Sequence, residues 1–97
     1  MAYIYKIVYP NGKIYVGQDS SKNSSFTYFG SPTGAADEME KDFSTLQKKH
    51  FAIIKEILWE KENATPEELN KKESEFIKQF NSSDKSIGYN RRFPINI

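Results

Sequence analysis

The chain has no cysteine, and only one histidine and one tryptophan, in 97 residues. Without cysteine there are neither disulfides nor thiolate metal sites, which fits a reducing compartment. No apolar run approaches the ~20 residues of a membrane-spanning helix. The apolar N-terminus is interrupted by Lys6 and lacks a basic lead, so it does not read as a signal peptide. A cytoplasmic protein with no membrane partner is the expectation. An excess of one charge is also missing: 14 Lys and Arg stand against 13 Asp and Glu, a net +1, where nucleic-acid modules are usually more basic. The positive charge that exists is clustered at Lys48-Lys49-His50, Lys71-Lys72 and Arg91-Arg92, and no arginine precedes Arg91. There is no internal repeat and no linker. The length therefore indicates one domain over 1–97 with a modest core.

Tyrosine is what the N-terminus has in plenty. Tyr3-Ile4-Tyr5 and Tyr15-Val16-Gly17 flank a short connection. Alternating β-branched and aromatic residues predict two strands. The turn fixes their register. A two-residue Asn11-Gly12 loop would pair Pro10 with Lys13, and proline has no N–H to give. A three-residue loop, with Pro10 second in a type I turn and Gly12 left-handed, suits every residue. Tyr5 then pairs with Gly17, Ile7 with Tyr15 and Tyr9 with Lys13. Tyr5 and Tyr15 share one face, and Gly17 leaves open space opposite Tyr5. A two-residue loop would put the tyrosines on opposite faces.

Residues 18–34 are rich in Ser, Asn, Gly and Thr and read as a long loop, a common place for function. Ala36, Met39, Phe43 and Leu46 form one stripe of a helix predicted over 35–49. Residues 51–59 read as a third strand or as a continuation of that helix. Thr65, Pro66 and Glu68 make a capped helix start, and the helix runs to about Phe80. Residues 87–90 read as a turn. Trp59, Tyr3 and Tyr9 are expected in the packing, and His50 as a helix-end residue rather than a catalytic one.

One acid stands out. At ~100° per residue, Glu73 falls between Leu69 and Ile77 inside the apolar stripe of the last helix, which also holds Phe76 and Phe80. Glu67, Glu68 and Glu75 lie off that stripe. A carboxylate facing a core is costly unless it is paired or binds a metal. It could pair with a lysine or a tyrosine hydroxyl, sit at the stripe's edge, or belong to a site.

The two tyrosine segments resemble the signature of the GIY-YIG nucleases. Tyr3-Ile4-Tyr5 stands for its first half, with Tyr in place of the first Gly, and Tyr15-Val16-Gly17 for its second. Tyr28-Phe29-Gly30-Ser31 is similar to a motif of phage-type members. Lys49-His50-Phe51 and Ile54-Lys55-Glu56-Ile57-Leu58 resemble the family's central helix end and third strand. Glu73 falls at its metal-binding glutamate, and Gly88-Tyr89-Asn90 at its C-terminal Gly-Tyr-Asn. The resemblance covers nearly the whole chain. It implies an α+β fold, a three-stranded antiparallel sheet flanked by helices. It also implies a divalent-metal DNA endonuclease, a small phage or homing-type protein working in a host cytoplasm if phage-encoded. On it Glu73 would hold Mg²⁺ or Mn²⁺, and Tyr15 would be the general base. Tyr5 would position the water or phosphate, and Asn90 would brace the site.

The family's phosphate-neutralising arginine has no counterpart. Lys22 is the preferred substitute and Lys41 the next, with Lys48 and Lys49 also available. One active site cuts one strand, so nicking, or a homodimer for double-strand cuts, is expected. The missing arginine also motivates the alternative of a catalytically degenerate module that binds nucleic acid or a protein.

Overall fold

Pro10 and Gly12 set the hairpin as the turn chemistry requires. In the computed structural model, which describes residues 1–20, 28–30, 32 and 34–91, the Tyr9 N–H donates to the Lys13 carbonyl at 3.0 Å. The Gly12 N–H donates to the Tyr9 carbonyl at 2.9 Å, and Gly12 has φ +85°. Strands β1 (Ala2–Val8) and β2 (Ile14–Asp19) follow. Tyr5 pairs with Gly17 and Ile7 with Tyr15, the expected register. β3 (Ile54–Lys61) adds antiparallel to the other side of β1, so the order is β2-β1-β3. The architecture is α+β, a three-stranded antiparallel sheet with helices.

Strand alternation sends successive side chains to opposite faces. On one face Tyr5, Ile7 and Tyr9 form a core with Ala35, Phe43 and Tyr89, with Tyr15 packed against it. On the other, Ala2, Ile4 and Val16 meet Leu69 and Ile77 of the last helix, α3 (Pro66–Phe80). Trp59 packs on this second core, as expected. Ile4, Ile7, Val16 and Ile77 have no exposed surface. Each such side chain stabilises the fold by about 1.5–3 kcal/mol.

α3 starts as its sequence indicates. The Thr65 hydroxyl accepts from the Glu68 N–H at 3.1 Å, and Glu68 Oε1 accepts from the Thr65 N–H at 3.0 Å. Asn81, left-handed at φ 54°, ends it.

The expected helix over 35–49 is two helices, α1 (Ala36–Asp42) and α2 (Thr45–Lys49). Phe43 between them is extended, and Ser44 opens α2 with a capping box to Gln47. That box satisfies two end donors and lets Phe43 turn into the core against Tyr9 and Phe51. A continuous helix would have carried Phe43 and Leu46 on one stripe; instead Leu46 is 67% exposed. His50 caps the end of α2. Residues 51–53 do not join β3, because Phe51 stacks edge-on against Phe43 at 4.9 Å. β3 carries a bulge: Ile4 pairs with Trp59 and Tyr5 with Ile57, leaving Leu58 over. No helix among the described residues is long and apolar enough to cross a membrane.

Candidate active site

β2 is an edge strand, and the segment Gly88-Tyr89-Asn90 closes its outer side. Ile14 and Gly88 form a parallel bridge, with the Tyr89 N–H donating to the Ile14 carbonyl at 2.8 Å. One step along, the Asn90 side chain replaces a strand. Its Oδ1 accepts from the Val16 N–H at 2.9 Å and its Nδ2 donates to the Val16 carbonyl at 2.8 Å. Tyr89 is fully buried; its hydroxyl donates to Asp42 at 2.7 Å and accepts from Asn11 at 2.8 Å. The triplet therefore anchors the backbone between Tyr15 and Gly17. Periodicity and turn chemistry show only a turn here, because the β2 backbone that Asn90 binds lies 74 residues earlier in the chain.

Asn90→Ala leaves the Val16 N–H and carbonyl without this partner inside the fold. At about 1–3 kcal/mol for each buried group so orphaned, the expected loss is ~2–4 kcal/mol in urea unfolding. An unchanged midpoint would mean that water replaces the amide freely.

Tyr5 and Tyr15 share a face, their ring centroids 6.5 Å apart. The space expected opposite Tyr5 is filled by Tyr5 itself. A Cβ placed on Gly17, or on Gly30 of the loop, would lie 2.4 Å from the Tyr5 hydroxyl. Two glycines thus box the end of that ring, and Tyr5 is 1% exposed. Burial, then the neighbouring Tyr15 and Tyr28 and Glu73, pushes the Tyr5 phenol far up. Burial and the Glu73 charge push Tyr15 up to about 12.

Glu73 is buried, at 8% exposure, as its place on the stripe predicts. Gln18 Nε2 donates to its Oε2 at 2.5 Å and to Asn70 Oδ1 at 2.9 Å. Desolvation raises its pKa against the lowering effect of that hydrogen bond. α3 packs on the face away from the tyrosines. The field of the Glu73 carboxylate nevertheless reaches both phenols.

The donor set suits some metals and not others. Among the described residues no cluster of three His, Asp or Glu side chains exists. Mg²⁺ or Mn²⁺ is commonly held by one or two carboxylates with water and substrate phosphate, and the single desolvated carboxylate of Glu73 fits that pattern.

The lysines divide. Lys22 lies outside the described residues. Lys41 and Lys49 are exposed, and Lys48 is bound to Glu40 at 2.6 Å. Arg91 makes a two-pronged pair with Glu38, at 2.7 and 2.9 Å. The cation beside the tyrosines is one that the sequence does not single out, Lys55 of β3. Its Nζ is 4.8 Å from the Tyr5 ring centre and 6.0 Å from that of Phe29. It also donates to the Tyr28 carbonyl at 2.6 Å. Lys55 pairs with Ile7, which puts it on the tyrosine face. Burial pushes the Lys55 ammonium below the usual lysine range, and buried Asp19, opposite Tyr3 at the end of β2, opposes that shift. Alternation within β3 places Lys55 with Ile53 and Ile57, but only the pairing with β1 shows which face that is.

Comparison with known protein families, with curated proteins and with solved structures finds no match to this chain.

Proposed function

We propose that the chain is a metal-dependent DNA endonuclease that hydrolyses one phosphodiester at a time. The supporting observation is the burial that shifts Glu73, Tyr5 and Tyr15, with the Glu73 charge adding to the shift of both phenols. The carboxylate is desolvated and the phenols are pushed up, partly by that carboxylate. Groups whose environments shift them against their ordinary ionisation, next to one another, are common at functional sites. Glu73 would hold a divalent ion, which would oppose both shifts and supply the positive charge that phosphodiester hydrolysis needs.

In this reading Glu73 is the protein ligand of Mg²⁺ or Mn²⁺. The Tyr15 phenolate takes a proton from the attacking water as the oxygen–phosphorus bond forms, and the 3′ oxygen leaves with its electron pair. Tyr5, wedged between Gly17 and Gly30, presents a fixed hydroxyl for the water or a phosphate oxygen. Asn90 acts through the backbone, by holding Val16 between Tyr15 and Gly17. A single site gives a nicked circle as first product; a homodimer is required for paired cuts.

The test is cleavage of supercoiled plasmid with Mg²⁺ or Mn²⁺ against a chelator. Tyr15→Phe is expected to lose ~10²–10⁴-fold, the usual worth of a general base. Only the phenolate accepts a proton, so the rate should climb nearly tenfold per pH unit below the phenol's pKa. The Phe variant should flatten that climb. No cutting with either ion would favour the non-catalytic module, which the Tyr15 value of about 12 would then explain. Binding that weakens steeply with salt would make it a nucleic-acid module. A flat salt response would indicate a protein partner.

A further inference from the structure

We infer that Lys55 is the phosphate-contacting cation of this site, an inference that rests on the nuclease reading and supplies the positive charge that reading needs. Phosphoryl chemistry beside a buried carboxylate requires fixed positive charge where negative charge develops. Half of the described lysines and arginines are committed elsewhere. Lys6, Lys13, Lys48, Lys61, Lys72 and Arg91 each pair with a carboxylate. Lys55 is held differently. Two aromatic faces and one backbone carbonyl fix its ammonium, with the Asp19 carboxylate acting on it from the end of β2. Cation–ring contacts of this kind orient a flexible stem while its charge stays available.

The position also suits a substrate. The Phe29 ring that carries Lys55 is at the same time a wall of an apolar cavity of about 500 Å³, lined further by Gly30, Ile53, Tyr9, Phe51 and Met39. Gly30 of that wall touches the Tyr5 hydroxyl. Lys55 therefore borders, through the Phe29 ring, an open space of the size small-ligand sites have.

Lys55 could instead merely bolt residues 28–30 over Tyr5. Salt dependence separates the two roles, because a structural bolt releases no counterions from DNA. The experiment measures affinity for a short DNA duplex over a salt series, without metal, beside plasmid nicking with Mg²⁺. The proteins are the wild type, Lys55→Met, Lys55→Arg and, as a control on the exposed face of α3, Lys78→Met. Methionine keeps the apolar stem, and thermal unfolding verifies that each variant folds. Lys55→Met should lose nicking by ~10²-fold or more and lower the slope of log affinity against log salt by about one. Lys55→Arg should keep the slope, and Lys78→Met should behave as wild type.

An unchanged slope and unchanged nicking in Lys55→Met overturn the inference. So does a loss of nicking with the slope intact, which marks a bolt. If no protein nicks but Lys55→Met alone lowers the slope, the phosphate contact stands and the nuclease reading falls. If the wild type neither binds nor cuts, both fall.

Discussion

Replacing Glu73 with glutamine is expected to abolish nicking, by ~10³-fold or more, while making the protein more stable at neutral pH. The first effect follows if Glu73 is the ligand of the catalytic ion, since losing even one preorganised electrostatic contact costs ~10²–10³-fold. The second follows from burial. Desolvation raises the Glu73 pKa in the folded state above its unfolded value. Between the two values the folded protein binds more protons than the unfolded chain, so stability falls as pH rises through that window. Above it, the folded state carries the full cost of an ionised, buried carboxylate.

Glutamine has the same shape, carries no charge and can still accept from Gln18. Its advantage should be full at about pH 8 and fade as the wild-type carboxylate is protonated. For a domain of this size each kcal/mol gained is a rise of about 4–8 °C in the melting temperature. Thermal scans at both ends of the range, beside plasmid assays, read both effects. A variant that melts lower than wild type at every pH would show that the charge of Glu73 is structural. Glu73→Ala is a poorer probe, because it also removes packing next to Leu69 and Ile77.

Gly88→Ala is expected to produce the largest loss of stability of any single methyl added to the chain. The new Cβ would lie 2.5 Å from the Ser82 carbonyl oxygen and 2.7 Å from that of Ile14. Both are backbone atoms, so no rotamer change relieves the contact. The segment must swing away from β2, losing the Ile14–Gly88 bridge and drawing the Asn90 clasp off Val16. Overpacking costs ~1–3 kcal/mol by itself, and the lost clasp adds to it, so a total of ~3 kcal/mol or more is expected. Stabilities of whole proteins are only about 5–15 kcal/mol.

Gly12→Ala is the control. A Cβ there meets nothing within 4 Å, and its penalty comes from φ +85° alone, about 1–2 kcal/mol. Urea unfolding of the two variants should place Gly88→Ala well below Gly12→Ala. The reverse order would mean that the C-terminal segment contributes little to holding β2.

The two glycines also show where sequence reading succeeds. Gly12 acts within its own turn, and the turn rules give its conformation and the register of β1 and β2. The Thr65 capping box and the burial of Glu73 are likewise local, set by spacing along one helix. The break at Phe43 was written locally as well, since Ser44 is followed three residues later by Gln47, but the apolar stripe masks that signal. Gly88 is different. Its constraint comes from two carbonyls brought in by other parts of the chain, and nothing adjacent to it in sequence shows that.

The sequence by itself thus determined the hairpin and its register, the capped start of the last helix and the presence of one carboxylate in an apolar stripe. These depend on backbone dihedrals and side-chain period, which act over a few residues. The tertiary structure alone decided which groups are neighbours. It put α3 behind the sheet, with Glu73 held by Gln18 of the edge strand, and it set Lys55 over the ring of Tyr5. The physical reason is strand pairing at long range. The register between β1 and β3 is fixed by the burial of two faces at once, and only that register turns Lys55 toward the tyrosines.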